Sequence, residues 1–288
     1  MIKVCIIGHG DIGKAIEVSL NQHNIGDLYI YDKKAGVLDD HKLSSADIIF
    51  ICTPTSALSE VLNLINIYRK PESFAVALSK GIDKTTGKLV HELMTDFLPS
   101  NDFAILAGPM LAQEISNGMG GVGVLASKNH EAYQIINKIF NNKILSVKYS
   151  DDLAGIALFS ILKNIYTLAI GIVTGLSYGK NIQGWITARS FSEWPIIADK
   201  LGIKFNQDTA NLILSDFVAT SSSPLSQNRT AGIQIAEGKK PHPSEGLNAL
   251  SLLIKRLNYD LSGLPILEAM SKIILQKADP RLAIDKIL

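Results

Sequence analysis

The stretch that decides the fold is IKVCIIGHGDIGKAIEVSL, residues 2–20. It opens with a continuous apolar run, IKVCII, which is typical of a buried parallel strand. GHGDIG follows, and then KAIEVSL, whose apolar residues have helical spacing. The order strand, glycine turn, helix is that of the first βα unit of a doubly wound α/β sheet.

The three glycines of GHGDIG have the G-x-G-x-x-G spacing of a dinucleotide-binding turn. Gly8 would allow the tight turn, Gly10 would let a pyrophosphate approach the backbone, and Gly13 would let the helix pack against the strand. The helix N-terminus would face the phosphates, so Asp11 and Ile12 join the predicted cofactor-binding residues. The alternative is a glycine turn without a ligand.

Asp32 follows Gly13 by 19 residues, at the end of the second apolar run. A carboxylate at this distance binds the adenosine ribose hydroxyls of NAD and repels the 2′-phosphate of NADP. Lys33 and Lys34 come next and could partly offset that repulsion. The pattern favours NAD over NADP.

Further apolar runs continue the alternation as far as residue 149: DLYIYD, DIIFICT, FAVALSK, FAILAG, GVGVLAS and KILSVKYS. Continuous runs indicate strands covered on both faces, hence a mostly parallel sheet. From SDDLAG onward the apolar spacing is helical. We therefore predict a dinucleotide-binding domain over residues 1–149 and a helical domain over 150–288. Thr53 and Pro54 follow the third run, where they either line the ligand crevice or form a plain turn.

Composition excludes several other classes of protein. The 288 residues carry 28 basic and 27 acidic side chains, a net charge of +1 without a long basic block, so neither nucleic acid nor an anionic membrane is an expected partner. Cys5 and Cys52 are expected as buried thiols, and the six histidines lack the spacing of metal ligands. The chain starts directly with a strand, so the cytoplasm is the expected compartment.

The segment from Leu153 to Leu176 is long and apolar enough to cross a bilayer, but Lys163 and Asn164 lie near its centre. A lysine there costs about 2.5–3.5 kcal/mol on insertion. We therefore expect the buried central helix of a soluble domain instead.

Seven segments together resemble the NAD-dependent glycerol-3-phosphate dehydrogenases, which have a Rossmann domain and a helical C-terminal domain. The segments are GHGDIG, SKGID, AGPMLAQEIS, LKNIYTLAIGIVTGLSYGKN, ITARSFSE, DFVATSSSPLSQNR and GLPILEAM with ADPRLAIDKIL. The resemblance implies interconversion of glycerol 3-phosphate and dihydroxyacetone phosphate, with Lys163 as acid/base and Asn164 beside it. A desolvated lysine can have its pKa drawn toward neutrality and then protonate an alkoxide. The structural alternative is that Lys163 merely pairs with a buried carboxylate such as Asp216.

The resemblance also implies roles for four other residues. Lys80 matches the second active-site lysine, which polarises the carbonyl or holds the substrate. Asp216 and Thr220 match residues that complete the catalytic cluster, and Gly108 matches a crossover near the nicotinamide. Helical domains of this family often dimerise, so a homodimer is a further expectation.

The substrate-binding match breaks at SQNRT. Gln227 stands where the family has a phosphate-binding arginine, Asn228 matches, and Arg229 follows. Loss of such a charge-assisted contact costs on the order of 1.5–3 kcal/mol, roughly ten- to a hundred-fold in affinity. Ser160 also replaces a family glycine. Two alternatives therefore stay open: a reductase of another small ketone or 3-hydroxy acid, and a catalytically weak dinucleotide-binding sensor.

Overall fold

The computed structural model describes residues 1–21, 24–33, 40–141 and 143–288. The chain divides into two compact units, Met1–Ala157 and Leu158–Leu288. The predicted boundary after residue 149 lies eight residues before this division, because the first five residues of a long helix that begins at Leu153 belong to the first unit.

The first unit is built on a sheet that has seven strands among the described residues. They are β1 (Ile2–Ile7), β2 (Ile25–Tyr31), β3 (Ile48–Ile51), β4 (Phe74–Ala77), β5 (Phe103–Ala107), β6 (Gly121–Ser127) and β7 (Leu145–Ser150). The helices between them are α1 (Asp11–Ser19), α2 (Asp40–Ser45), α3 (Leu58–Tyr68), α4 (Val90–Phe97), α5 (Ala112–Ser116) and α6 (His130–Ile139), with a 3-10 turn at Thr55–Ala57.

The strand order is β2-β1-β3-β4-β5-β6-β7. All neighbouring pairs are parallel except β5 and β6, which are antiparallel. The prediction of a mostly parallel α/β sheet followed by a helical domain is thus confirmed. Because β2 and β3 lie on opposite sides of β1, the chain reverses its direction of travel between β1 and β3, and ligands of such sheets bind at that point.

The sequence prediction was wrong for β2, which was expected to be covered on both faces. Gly26 and Asp27 are exposed, and Ile30 is exposed by 40%. The reason is position: β2 is one of the two edge strands of the sheet, whereas β3, β4 and β5 lie inside it and are buried throughout. The two cysteines are free and buried, as predicted, with Cys5 in β1 and Cys52 directly after β3.

The second unit is helical throughout. Its helices are α7 (Leu153–Gly175, entering from the first unit), α8 (Lys180–Lys200), α9 (Gln207–Ser222), α10 (Gln227–Ala236), α11 (Glu245–Arg256), α12 (Pro265–Ile274) and α13 (Pro280–Asp285). The α7 helix is preceded by Asp152, whose carboxylate accepts a hydrogen bond from the Gly155 N–H at 2.8 Å, as an N-cap residue does.

The α7 helix is the core helix of this unit. Among the described residues it alone is long and apolar enough to cross a membrane, and its most apolar window is completely buried by other parts of the chain. The aromatic rings of Phe159 on α7 and Trp194 on α8 stack with centroids 5.3 Å apart, and Trp194 also lies 6.2 Å from Phe217 on α9. The expectation of a buried central helix is therefore confirmed.

Candidate active site

The predicted site residues of the first unit all follow the carboxyl ends of parallel strands. Across the sheet they come in the order Asp32 after β2, Gly8 after β1, Thr53 after β3, Lys80 after β4 and Gly108 after β5. In an open α/β sheet this edge is the ligand-binding edge.

The glycine turn has the backbone form that its spacing predicts. Gly8 has a φ of +95°, and a Cβ atom there would lie 2.9 Å from the backbone of Cys52. A Cβ atom on Gly13 would lie only 2.1 Å from the Gly8 carbonyl oxygen, whereas one on Gly10 would meet nothing within 4 Å. Gly8 and Gly13 thus permit close packing of the chain, and Gly10 leaves open space in front of α1.

The N-terminus of α1 suits an anion. Gly10 is its N-cap residue and supplies no side-chain hydrogen bond to the first turn, which contains Asp11 and Ile12. Unsatisfied amides and the helix dipole both favour a negatively charged group at such a terminus.

Asp32 is the first residue after β2, and its carboxylate is fixed from the glycine turn. The His9 N–H donates to Asp32 Oδ2 at 3.0 Å, while His9 Nε2 lies 2.8 Å from Glu17 Oε2 on α1. The Lys33 ammonium lies 3.9 Å from the Glu60 carboxylate, both groups being well exposed. Lys34 lies outside the described residues.

The turns after β3 and β4 are tied together. The Ser79 hydroxyl donates to the Thr53 carbonyl at 2.6 Å, and the partly buried Lys80 is the next residue. The Thr53 hydroxyl is buried without a hydrogen-bond partner among the described residues, and Pro54 beside it is exposed. Gly108 has a φ of +122°, and a Cβ atom there would lie 2.5 Å from the Val122 carbonyl oxygen.

These features fit a dinucleotide. The open space at Gly10, the helix N-terminus without a side-chain cap, the oriented Asp32 carboxylate and the orphaned Thr53 hydroxyl all lie along one edge of the sheet. Burial raises the pKa of the Cys52 thiol to about 12, so the thiol stays protonated at neutral pH.

The second unit contains a buried lysine cluster. Lys163 Nζ on α7 donates to Asp216 Oδ1 at 3.1 Å and to Thr220 Oγ1 at 3.0 Å, both on α9. The Thr220 hydroxyl in turn donates to Asp216 Oδ1 at 3.0 Å. The three residues are exposed by 5%, 1% and 5%, so the ion pair lies almost entirely out of water.

Two effects act on the Lys163 ammonium in opposite directions. Burial disfavours its charged form, and the Asp216 carboxylate at 3.1 Å favours it. The pairing foreseen as the structural alternative is therefore present. It is compatible with proton transfer, because a catalytic lysine also needs a partner that orients it.

Asn164 belongs to a second polar network. Its Nδ2 donates to Glu245 Oε2 at 2.7 Å, and its Oδ1 accepts from Asn228 Nδ2 at 3.0 Å. Asn228 Oδ1 accepts from the Gly246 N–H at 2.9 Å. These bonds fix the orientation of both side-chain amides.

Glu245 and Gly246 are site neighbours that the sequence does not predict. Both lie in the first turn of α11, at the end of the segment GKKPHPSEG, and nothing in their spacing relates them to Asn164, 81 residues away from Glu245. The structure explains the glycine at 246, because a Cβ atom there would lie 2.5 Å from the Asn164 carbonyl oxygen.

The three residues at the predicted break with the family lie in the first turn of α10. Ser226 caps that helix through the Arg229 N–H, Gln227 is exposed and Asn228 is buried. Arg229 is partly buried, and within the described parts of the chain its guanidinium has no ion pair. The structure thus brings Asn164 and Asn228 together and leaves Gln227 at the surface of its unit.

Comparison with known proteins agrees with both halves of this description. Residues 38–133 match the family model of the NAD-dependent glycerol-3-phosphate dehydrogenase N-terminus, and residues 152–285 match that of the C-terminus. The first match includes Lys80 and Gly108 but begins after the glycine turn. The second includes the lysine cluster.

Individual relatives and structures carry the same name. A glycerol-3-phosphate dehydrogenase [NAD(P)+] of Thermoanaerobacter sp. (strain X514) is 27% identical over 327 aligned positions, covering 100% of this chain and 97% of that protein. One from Acinetobacter baylyi is 28% identical, covering 92% and 76%. The crystal structure of the Coxiella burnetii glycerol-3-phosphate dehydrogenase superposes with a TM-score of 0.87 at 22% identity, covering 99% and 98%.

Two matching family models over most of the chain, relatives aligned from end to end and a shared fold lead to one conclusion: the chain belongs to the NAD-dependent glycerol-3-phosphate dehydrogenase family.

Proposed function

We propose that this chain is an NAD(P)-dependent dehydrogenase that interconverts glycerol 3-phosphate and dihydroxyacetone phosphate, with Lys163 as the acid/base. The observation that carries the proposal is the buried cluster of Lys163, Asp216 and Thr220, 1–5% exposed, in a chain of this family. A buried ion pair by itself adds little to stability, so its presence in the core favours a chemical task.

The residues of the first unit would hold the cofactor. The glycine turn and the first turn of α1 would bind its pyrophosphate, and Asp32 would bind its adenosine ribose. When bound, the nicotinamide supplies the hydride for reduction and accepts it in the reverse direction.

Lys163 then handles the proton. In reduction its ammonium protonates the alkoxide formed from the ketone oxygen, and in oxidation its neutral amine takes the hydroxyl proton. Asp216 and Thr220 hold Nζ in place through the 3.1 Å and 3.0 Å contacts, and the carboxylate stabilises the ammonium form. Lys80, after β4, polarises the carbonyl or holds the substrate.

The phosphate is bound differently from the family pattern in this proposal. Asn228 is held by Asn164 and Gly246, while Gln227 offers a neutral amide. Arg229, without an ion pair among the described residues, is the nearest cation in sequence. Because Gln227 replaces the family's arginine, a second candidate function is the reduction of a small ketone or 3-hydroxy acid without a tightly bound phosphate.

The test is the rate of NADH oxidation by the purified protein with dihydroxyacetone phosphate, against unphosphorylated dihydroxyacetone. Saturating turnover with the phosphorylated ketone alone supports the proposal. Equal rates with both ketones would support the altered-substrate function, and tight NADH binding without turnover would support a sensor.

Gln227→Arg refines the same experiment. If the missing arginine weakens phosphate binding, this variant lowers KM for dihydroxyacetone phosphate by roughly ten-fold or more and leaves KM for dihydroxyacetone unchanged. An unchanged KM for the phosphorylated ketone would remove the argument from Gln227.

Two expectations about the setting of the enzyme belong with this proposal. A location in the cytoplasm is expected from the sequence, and the long apolar helix found among the described residues is buried. A homodimer is expected from the family resemblance, and light scattering of the purified chain would test it.

A further inference from the structure

Glu193, on α8, is a buried carboxylate that the proposed reaction does not use. It is 2% exposed, and three donors surround it. The Tyr166 hydroxyl donates to Glu193 Oε2 at 2.6 Å, the Ile266 N–H donates to Oε1 at 2.6 Å, and the Leu267 N–H donates to Oε2 at 3.1 Å. One side chain thus joins α7, α8 and the first turn of α12.

At this junction the Tyr166 hydroxyl and the two amides donate, and the Glu193 carboxylate accepts. Burial raises the pKa of Glu193, while the hydrogen bonds from Tyr166 and from the two amides of α12 act to lower it. Burial, together with the neighbouring carboxylate, holds the pKa of Tyr166 well above its usual range, so the phenol remains a donor. Amides at a helix N-terminus favour the ionised carboxylate.

Tyr166 links this junction to the lysine cluster. It follows Lys163 on α7 by three residues, just under one helical turn. Its ring lies 6.5 Å from that of Phe217, the residue directly after Asp216 on α9. Tyr166 therefore packs against the residue of α9 that follows Asp216, and its hydroxyl is held by Glu193.

We propose that Glu193 is a positioning residue for Lys163: through Tyr166 it fixes the rotation and height of α7 against α9. This inference rests on the proposed role of Lys163 as acid/base. Proton transfer needs heavy atoms within hydrogen-bond reach, and a misplacement of about 1 Å can cost about a hundred-fold in rate. Loss of the Tyr166–Glu193 hydrogen bond should therefore lower kcat and leave cofactor binding unchanged.

The test is Tyr166→Phe, which deletes the bond to Glu193 and keeps the ring against Phe217. Tyr178→Phe is the matched control, because the Tyr178 hydroxyl also donates to a carboxylate, that of Asp285, in the same unit but beyond the end of α7. We expect Tyr166→Phe to lower kcat for the ketone by about ten-fold or more with KM for NADH unchanged. Tyr178→Phe should stay within two-fold of the parent.

A second readout does not depend on turnover. Reductive methylation of Lys163, followed by mass spectrometry, measures how well Nζ is held, since the residue is only 5% exposed. We expect methylation to be several-fold faster in Tyr166→Phe and unchanged in Tyr178→Phe. Glu193→Gln, which keeps the shape but replaces one acceptor by a donor, should accelerate methylation as well.

The outcomes are distinct. A parent protein inactive toward every ketone would overturn the proposed function, and the methylation rates would still decide the positioning role. An active enzyme whose kcat and Lys163 methylation rate are both the same in Tyr166→Phe and in the Tyr178→Phe control would overturn the inference alone, whatever the change in Tm.

Discussion

Lys163 is the residue whose placement most needs a physical account. At 5% exposure, its ammonium is stable because Asp216 and Thr220 take hydrogen bonds from it at 3.1 Å and 3.0 Å. Breaking such a buried pair by removing one partner costs about 3–5 kcal/mol, since the other charge is left without compensation. Replacing both partners with neutral groups of similar shape costs far less.

This asymmetry separates the structural from the catalytic role of the lysine. Lys163→Met should lower the free energy of unfolding by about 3–5 kcal/mol and kcat by at least about a hundred-fold. In the double variant Lys163→Met with Asp216→Asn, most of the stability should return, because no unpaired charge remains, while kcat stays low. Urea unfolding and NADH oxidation with dihydroxyacetone phosphate measure the two effects.

Recovery of both stability and kcat in the double variant would show that Lys163 serves the fold only. The single variant Asp216→Asn is the companion measurement, because it keeps the lysine and removes only the charge beside it.

Among the elements, α7 and α10 pack closely against each other in the second unit. A Cβ atom on Gly232 would lie 2.2 Å from the Leu168 carbonyl oxygen, and one on Gly171 would lie 2.2 Å from the Arg229 carbonyl oxygen. The two backbones are therefore in contact. This contact brings Asn228, at the start of α10, close enough to α7 for its Nδ2 to donate to Asn164 Oδ1 at 3.0 Å. Glycine at these positions is thus a condition for the amide network.

Gly232→Ala should force α10 away from α7. We expect a loss of about 1–3 kcal/mol in the free energy of unfolding, as for overpacked cores, together with a raised KM for the phosphorylated ketone as Asn228 moves. Thermal unfolding and steady-state kinetics measure both.

The control for that substitution is another helical glycine. Gly184 lies in α8, and a Cβ atom there would meet nothing within 4 Å. Gly184→Ala should therefore stabilise the chain by about 0.5–1 kcal/mol and leave KM unchanged. A Gly232→Ala protein as stable as the parent would contradict the account of the helix contact.

Elements were predictable from the sequence where the signal is local. The strand, glycine turn and helix of residues 2–20 follow from adjacent residues, as does the length of α7. The exposed β2 was not predictable, because whether an apolar run becomes an edge strand depends on strand order. The α12 amides that bind Glu193 were not predictable either, because they lie 73 and 74 residues further along the chain.

For the whole chain, the site residues divide between the two units. Residues 1–157 contain the predicted dinucleotide-binding positions, and residues 158–288 contain the lysine cluster and the amide network. The cluster was named from the family motif around Lys163, and its contacts with Asp216 and Thr220 were then found in the structure. Glu245 carries no comparable motif and required the fold.

Binding of the cofactor should stabilise the whole protein in a way that reports its identity. Asp32 points its carboxylate at the glycine turn through the His9 N–H, and a 2′-phosphate beside that carboxylate would be repelled. At a concentration a hundred times its Kd, NADH should add about 2.7 kcal/mol of stability, and NADPH at the same concentration should add clearly less.

Thermal unfolding with each cofactor measures this difference, and Asp32→Ser should reduce it by removing the repelling charge. The exposed Lys33, 3.9 Å from Glu60, would be available to a 2′-phosphate only at the cost of that loose pair. A larger increase in Tm with NADPH than with NADH would contradict the preference for NAD. It would indicate that the basic residues after Asp32, and not Asp32 itself, determine which cofactor binds.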